Sequence, residues 1–237
     1  MGIKDDLSNE VLRIIQQSWD VRDGRTVPSN DDVALEGGGV RLDATVLYAD
    51  LAQSSKLATD FQQRTAGKVI RIFLKCMCRL ITEHNGAITS FDGDRVMGIF
   101  LGETKSTDAA KCALKMNYAT SKIIEPIVKD YFTSVKDAGF SISHCVGVDT
   151  SAVMAVRAGQ RGSNDLVWVG RAPNLAAKLS EIRENYYHSW ITEDVFRGLD
   201  DSAKFGGPEN KLMWEKRSFQ YIGEPTAVYG STWWWEP

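Results

Sequence analysis

The sequence predicts an α+β fold, a ferredoxin-like plan in which helices pack on an antiparallel-rich sheet. Segments with strand and helix periodicity alternate as strand, helix, hairpin, helix, strand, strand, helix and further strands. An Asp92-Gly93 pair between two β-forming runs marks a tight hairpin. Two long stretches, 59–81 and 107–138, repeat apolar residues at the spacing of a buried helix face. With 237 residues, 43% hydrophobic and 25% charged, the chain has the size of one domain with attachments and enough apolar mass for a sizeable core. Disordered and collagen-like classes are thereby excluded.

Residues 3–19 set Ile3, Leu7, Val11, Leu12, Ile14, Ile15 and Trp19 at roughly helical spacing, an amphipathic lead-in helix whose apolar stripe needs something to pack on. Asp23-Gly24, Pro28, Asn30 to Asp32 and Gly37 to Gly39 are turn chemistry, so 1–40 reads as helix plus linker and 41–237 as the folded domain. Residues 42–50 form a β-rich run ending in Asp50, and the 59–81 helix follows. The hairpin then spans 87–91 and 95–101, with Asp94 expected just past the turn. The 107–138 helix has its expected break at Pro126. Strands are expected at 141–148, 153–156 and 166–169, then a helix opening at Pro173, where a missing N–H costs nothing, and a strand-rich tail from Lys211. The final Trp233 to Trp235 are expected to pack over the sheet or the lead-in helix. No internal repeat or low-complexity segment interrupts the pattern.

A net charge of -3 leaves no basic surplus, so neither nucleic acid nor an anionic membrane is expected as a partner. No apolar run reaches the roughly 18 to 20 residues of a membrane span, and Lys4, Asp5, Asp6 and Glu10 replace the basic-then-apolar pattern of a secretory leader. The expected location is cytoplasmic. Gly2 invites a myristoylation reading, but Asp6 stands where that signal needs Ser or Thr. Cys76, Cys78, Cys112 and Cys145 form no C-x-x-C pair and read as reduced, mostly buried thiols. His84, His144 and His188 show no metal-ligand spacing, which sets aside zinc and His-centred nucleophilic catalysis.

Asp50 closes one strand and Asp94 follows a hairpin turn, so two carboxylates can converge at one sheet edge, where hard divalent cations would take their oxygens. Alone, Asp92-Gly93-Asp94 is an ordinary surface turn. It stands beside two further motifs: VLYADLAQSSKL (46–57), ITSFDGDRVMGIF (88–100) and VWVGRAPNLAAKL (167–179) together resemble the three signature blocks of the class III nucleotidyl cyclases, in order and spacing. The likeness covers roughly 41–232. It implies that Asp50 and Asp94 bridge two Mg²⁺ or Mn²⁺ ions, with the Leu51 carbonyl as a further ligand. It also implies that the N–H groups of Ala52, Gln53, Ser54 and Ser55 cradle the β- and γ-phosphates, which suits amides at a helix start.

Asn174 matches the family asparagine that orients the ribose. Lys178, four residues on and on the same helix face, stands where the family usually has a transition-state arginine, keeping the charge and losing the planar fork. Its bland alternative is a solvated helix lysine. Ala152 and Gln220 fall where members often place basic residues for the phosphates, leaving Arg157, Lys216 or Arg217 as substitutes. The family reaction is attack of the ribose 3′-hydroxyl on the α-phosphorus, with pyrophosphate leaving. Because metal carboxylates and the Asn/Lys pair come from opposite subunits in this family, a homodimer with shared sites is implied.

Ser90, four before Asp94, and Val167, three before Gly170, occupy the purine-reading positions and cannot reproduce the adenine readout. Tyr48, two before Asp50, shares its strand face and either fills the core or narrows the base pocket. With YIGEPTAVYGSTWWW at 221–235, these features resemble the pyrimidine cyclases of bacterial Pycsar antiphage systems. That implies conversion of UTP to cyclic UMP as an alarm signal read by a separate effector protein. Ser90 can donate or accept a hydrogen bond, so CTP stays open at the level of residues. A less selective adenylate or guanylate cyclase and a non-catalytic nucleotide-binding module are the competing readings.

Overall fold

A computed structural model describes residues 2–183 and 186–237. The lead-in helix α1 (Ile3–Gln16) precedes a short β1 (Asp20–Asp23) and the long β2 (Gly38–Leu51). Then come α2 (Ser54–Asp60), α3 (Gln63–Glu83), the hairpin β3 (Ala87–Asp92) and β4 (Arg95–Phe100), and α4 (Lys105–Tyr118), α5 (Glu125–Tyr131) and α6 (Thr133–Asp137). A second long strand β5 (His144–Gln160) turns into β6 (Ser163–Gly170) and α7 (Arg171–Ser180). The last part holds β7 (Ser189–Thr192), α8 (Glu193–Arg197), α9 (Asp201–Lys204), β8 (Phe205–Gly206), β9 (Lys211–Leu212), β10 (Glu215–Tyr221) and β11 (Glu224–Ser231).

The main sheet runs β10-β11-β7-β5-β2-β4-β3, with β1 added beside β2 and β6 beside β5. Its pairings are antiparallel except β1 with β2 and β5 with β7, as the α+β, antiparallel-rich expectation requires. Alternation along β2 divides its side chains between two layers. Leu47, Ala49 and Leu51 join Val146, Val148, Phe73, Met77, Ile81 and Leu114 beneath α3 and α4. Ala44 and Val46 point the other way and meet Met97, Ile99, Val153, Ala172 and Ala176 beneath α7. Asp50 shares this second face by alternation, so the fold carries a carboxylate to the sheet end that α7 covers.

The close seat of α7 depends on Gly147. A β-carbon there would stand 2.1 Å from the Ala176 carbonyl oxygen and 2.5 Å from the Ser180 nitrogen, so only a bare backbone lets the helix settle on β5.

Several elements differ from the sequence expectation for identifiable reasons. The stretch read as linker contributes β1, because Asp20 to Asp23 pair with Gly38 to Arg41. Strands expected at 141–148 and 153–156 are one strand, since the polar residues between them are satisfied. The buried Asp149 accepts from Thr192 Oγ1 at 2.6 Å and Arg171 Nε at 3.0 Å, and Thr150 Oγ1 donates to the Ala44 carbonyl at 3.2 Å. Pro126 does not break its helix. Residues Ala119–Ile124 widen into a π-helical segment ahead of it, so the ring falls in the first turn of α5.

The lead-in helix forms as expected but buries none of its residues. The tryptophan tail packs on α4: Asn117 Nδ2 donates to the Thr232 and Trp233 carbonyls at 3.3 and 3.0 Å, and Trp235 N donates to the Leu114 carbonyl at 3.2 Å. Trp233 and Trp235 close over the main core, while Trp234 lies against Tyr118 at 5.2 Å between ring centroids.

Candidate active site

Asp50 is flanked across the sheet by Arg95 on β4 and Cys145 on β5. Its side chain is only 14% exposed and forms an ion pair with Arg183. Burial pushes the Asp50 carboxyl above its ordinary value, the Arg183 guanidinium pulls it back, and the neighbouring Asp94 charge raises it again. Asp94 lies in the turn itself, a correction to its expected place past it: Asp92 pairs with Arg95, leaving Gly93, with φ 62, and Asp94 as the connection. Asp94 is half-buried, and its Oδ2 is buried with no hydrogen-bond partner among the described residues. Two mutually repelling carboxylates, one with an orphaned oxygen, form a donor set that fits a hard divalent cation. Among the described residues no group of three or more His, Cys, Asp or Glu forms a metal cluster, so the remaining ligands of such an ion would have to come from backbone and substrate oxygens.

Leu51 ends β2 and is buried. The Ala52 amide is already engaged, donating to the Ser143 carbonyl at 2.9 Å, which removes it from the expected phosphate cradle. Gln53 adopts a left-handed conformation, φ 60, that swings the chain from strand into α2. The amides of Ser54 and Ser55 then begin a helix with no carbonyl one turn earlier to receive them. Of the four amides expected in the cradle, Ala52 is thus spent within the fold, and Gln53, Ser54 and Ser55 stand at the start of α2.

On the α7 side of the sheet, Tyr48, Met97 and Ser90 lie in a row across β2, β4 and β3. A register shift between Ile88 and Ser90 makes this possible, since without the extra residue Ser90 would pair with Val96 on the opposite face. Ser90 Oγ stands 3.6 Å from Met97 Sδ, and the Arg95 guanidinium lies over the Tyr48 ring at 5.4 Å. Arg95 is held by Asp92 at 2.7 Å and Glu181 at 3.1 Å. It went unnoticed in the sequence because no motif rule marks the residue after a turn carboxylate. Val167 lies opposite Val156 on the β5–β6 hairpin, 48% exposed and outside the core clusters.

Asn174 and Lys178 stand one turn apart on the exposed side of α7. Asn174 Nδ2 donates to the Gly170 carbonyl at 2.9 Å, and Lys178 Nζ pairs with Glu181 at 3.0 Å. Among the described residues neither makes a hydrogen bond or ion pair to Asp50 or Asp94, so a single chain brings together the carboxylates but not all four groups. Arg157 sits a dozen residues along β5 from Cys145, about 40 Å at the rise of a strand, and is bound to Asn164 at 2.6 Å and Asp31 at 3.7 Å. It does not reach Asp50 of its own chain. Ala152 likewise pairs with Asp43, well along β5 from the carboxylates. Lys216 and Arg217 on β10 are engaged with Glu193 and Glu215. The cation that meets Asp50 is Arg183, which no sequence motif contains.

No family model matches the sequence. Full-length similarity is found instead to curated proteins named uridylate cyclase: one from Rhodovulum sp. (strain MB263) is 43% identical over 237 residues, covering 100% of this chain and 99% of the relative. Those from Xanthomonas perforans and Burkholderia cepacia are 38% and 39% identical, each covering 99% of both chains. Among solved structures the fold matches the guanylyl cyclase Cya2 with a TM-score of 0.68 at 20% identity, over 84% of this chain and 96% of that one. It matches the adenylyl cyclase CyaB from P. aeruginosa with a TM-score of 0.60 at 19% identity, over 81% and 95%.

Proposed function

The chain belongs to the uridylate cyclases and has the class III nucleotidyl cyclase fold, and from that premise we propose that it converts UTP to 3′,5′-cyclic UMP and pyrophosphate. The observation that carries this reading is the Tyr48–Met97–Ser90 row on the same sheet face as the half-buried Asp50. Tyr48, with the Arg95 guanidinium over its ring, would wall the base side, and a narrowed wall suits a pyrimidine ring.

Asp50 and Asp94, with the Leu51 carbonyl, would hold two divalent ions, Mn²⁺ or Mg²⁺. Such ions, when bound, acidify the ribose 3′-hydroxyl and neutralise the departing pyrophosphate. The amides of Gln53, Ser54 and Ser55 orient the β- and γ-phosphates. Asn174 fixes the ribose so that its 3′-oxygen lies in line with the α-phosphorus. Lys178 places a positive charge against the oxygens of the pentavalent phosphorus, as a point charge rather than an arginine fork. The exposure of Asn174 and Lys178 supports a homodimer in which they act on the nucleotide held by the carboxylates of the other protomer. No covalent intermediate is needed, and catalysis is positioning plus electrostatics.

The likeness to pyrimidine cyclases of antiphage systems supports a cytoplasmic role in which cyclic UMP is the alarm signal and a separate effector protein reads it. No helix among the described residues is long and apolar enough to cross a membrane. The test is incubation of the purified protein with UTP, CTP, ATP or GTP and Mn²⁺, with products identified by mass spectrometry. Cyclic UMP as the dominant product is expected. Dominant cyclic CMP would reassign the base, cyclic AMP or GMP would overturn the reading of Tyr48 and Ser90, and no cyclic product would overturn the cyclase assignment.

A further inference from the structure

Resting on the uridylate cyclase reading, we propose that Arg183 is the phosphate-side cation of this active site: it holds Asp50 until the nucleotide's divalent ion takes that carboxylate, then turns to the terminal phosphates. Position is the first argument. The cross-strand neighbours of Asp50 are Cys145 and Arg95. Cys145 is buried, which pushes its thiol up to about 12 and leaves it uncharged, and Sγ points to the Leu179 carbonyl at 3.4 Å. Arg95 is committed to Asp92, Glu181 and the face of Tyr48. The three basic residues that the sequence offered are engaged elsewhere, with Asn164 and Asp31 for Arg157, Glu193 for Lys216, and Glu215 for Arg217.

Arg183 is built differently. Its Nη1 donates to the Ser180 carbonyl at 2.7 Å and the Ile182 carbonyl at 3.1 Å, just past the end of α7, while Nη2 meets Asp50. Its side chain is 41% exposed, so one edge of the guanidinium is tethered to backbone and the other faces solvent and the carboxylate. A guanidinium and a divalent ion cannot both occupy the same carboxylate oxygens. When the ion wins, the displaced fork stays beside the phosphates that arrive with it, and a planar fork suits phosphate oxygens.

The experiment uses the full chain as wild type, Arg183→Gln and Arg183→Lys. Mn²⁺ alone is titrated and the free ion is followed by electron paramagnetic resonance. Inorganic pyrophosphate is then titrated at saturating Mn²⁺, with thermal stabilisation as the readout. Arg183→Gln is expected to bind Mn²⁺ alone about tenfold more tightly, because the competing cation is gone, and pyrophosphate at least about tenfold more weakly. Arg183→Lys is expected to recover part of the pyrophosphate affinity. If either affinity of Arg183→Gln equals that of wild type, the proposal fails. Failure of the cyclase reading is separate: wild type would then make no cyclic UMP from UTP, while the two titrations would still decide the placement of Arg183.

Discussion

Replacing Gly147 by alanine tests whether the seat of α7 on β5 sets the active-site geometry. The new β-carbon would meet the Ala176 carbonyl oxygen at 2.1 Å, the Ser180 nitrogen at 2.5 Å and Leu179 Cβ at 2.7 Å, whereas an ordinary contact starts at 3.4 Å. Two of these three atoms are backbone and cannot rotate away, so α7 has to lift by about 1.3 Å, a shift in the range where overpacking costs about 1 to 3 kcal/mol. The helix carries Asn174 and Lys178, so its displacement should also lower kcat by about 10²-fold, the loss typical of a 1 Å misplacement of reacting groups. Urea unfolding gives the stability and mass-spectrometric product formation gives the rate. Gly67→Ala is the control: that glycine lies in α3 with nothing within 4 Å of the added carbon, so it should gain about 0.5 to 1 kcal/mol with unchanged turnover. Wild-type stability and turnover in Gly147→Ala would refute the idea that this glycine sets the helix.

Mixing an Asp50→Ala chain with a Lys178→Ala chain, each inactive alone, should restore up to about a quarter of wild-type turnover, because half of the mixed pairs are heterodimers and each has one intact site; a demonstrated heterodimer with no turnover would remove the shared site. Tyr48→Ala opens the base wall and releases Arg95, so the ratio of ATP to UTP conversion should rise about tenfold, and an unchanged ratio places base selection elsewhere. His144 is buried without a partner for Nε2 among the described residues, and burial, with the charges of His188 and Arg183, lowers its pKa to about 3. The unfolded chain protonates this ring near its ordinary ~6.5 and the folded chain does not, so the contribution of His144 to stability is full above that value and lost as pH falls, by about 1.4 kcal/mol per unit and about 2 kcal/mol by pH 5. In His144→Phe, which keeps a ring beside Phe73 and His188, the decline between pH 7 and 5 should be shallower by that amount, and identical slopes would disprove the assignment.

The layers of the fold were legible in the sequence because β2, α3, the hairpin and α7 carry strong periodicity and turn chemistry of their own. What escaped was set by long-range pairing. Nothing local makes Asp20 to Asp23 a strand, since it forms only against Gly38 to Arg41. The continuity of β5 through Asp149 depends on Thr192 and Arg171, remote in sequence. At the site, Asp50 and Tyr48 could be placed by alternation and Asp94 near the hairpin turn, though it lies in the turn and not past it. Arg95 and Arg183 could not, because their roles arise from contacts with Tyr48, Glu181 and Asp50 across element boundaries. The bulge that turns Ser90 toward Met97 is a register event and leaves no compositional trace.

The placement of β11 has a consequence for when the protein becomes competent. This late strand is interior, paired to β7 on one side and β10 on the other, and the residues after it are pinned to Leu114 and Asn117 on α4. During translation the α4 contacts and the open edge of β7 must wait for residues 224–235 to leave the ribosome, long after Asp50 and Asp94 have emerged. A nascent chain can therefore assemble its early strands while its core stays unclosed, and a ribosome stalled before this segment yields no finished enzyme. Closure of the core waits on residues 224–235, whatever the early strands have already formed.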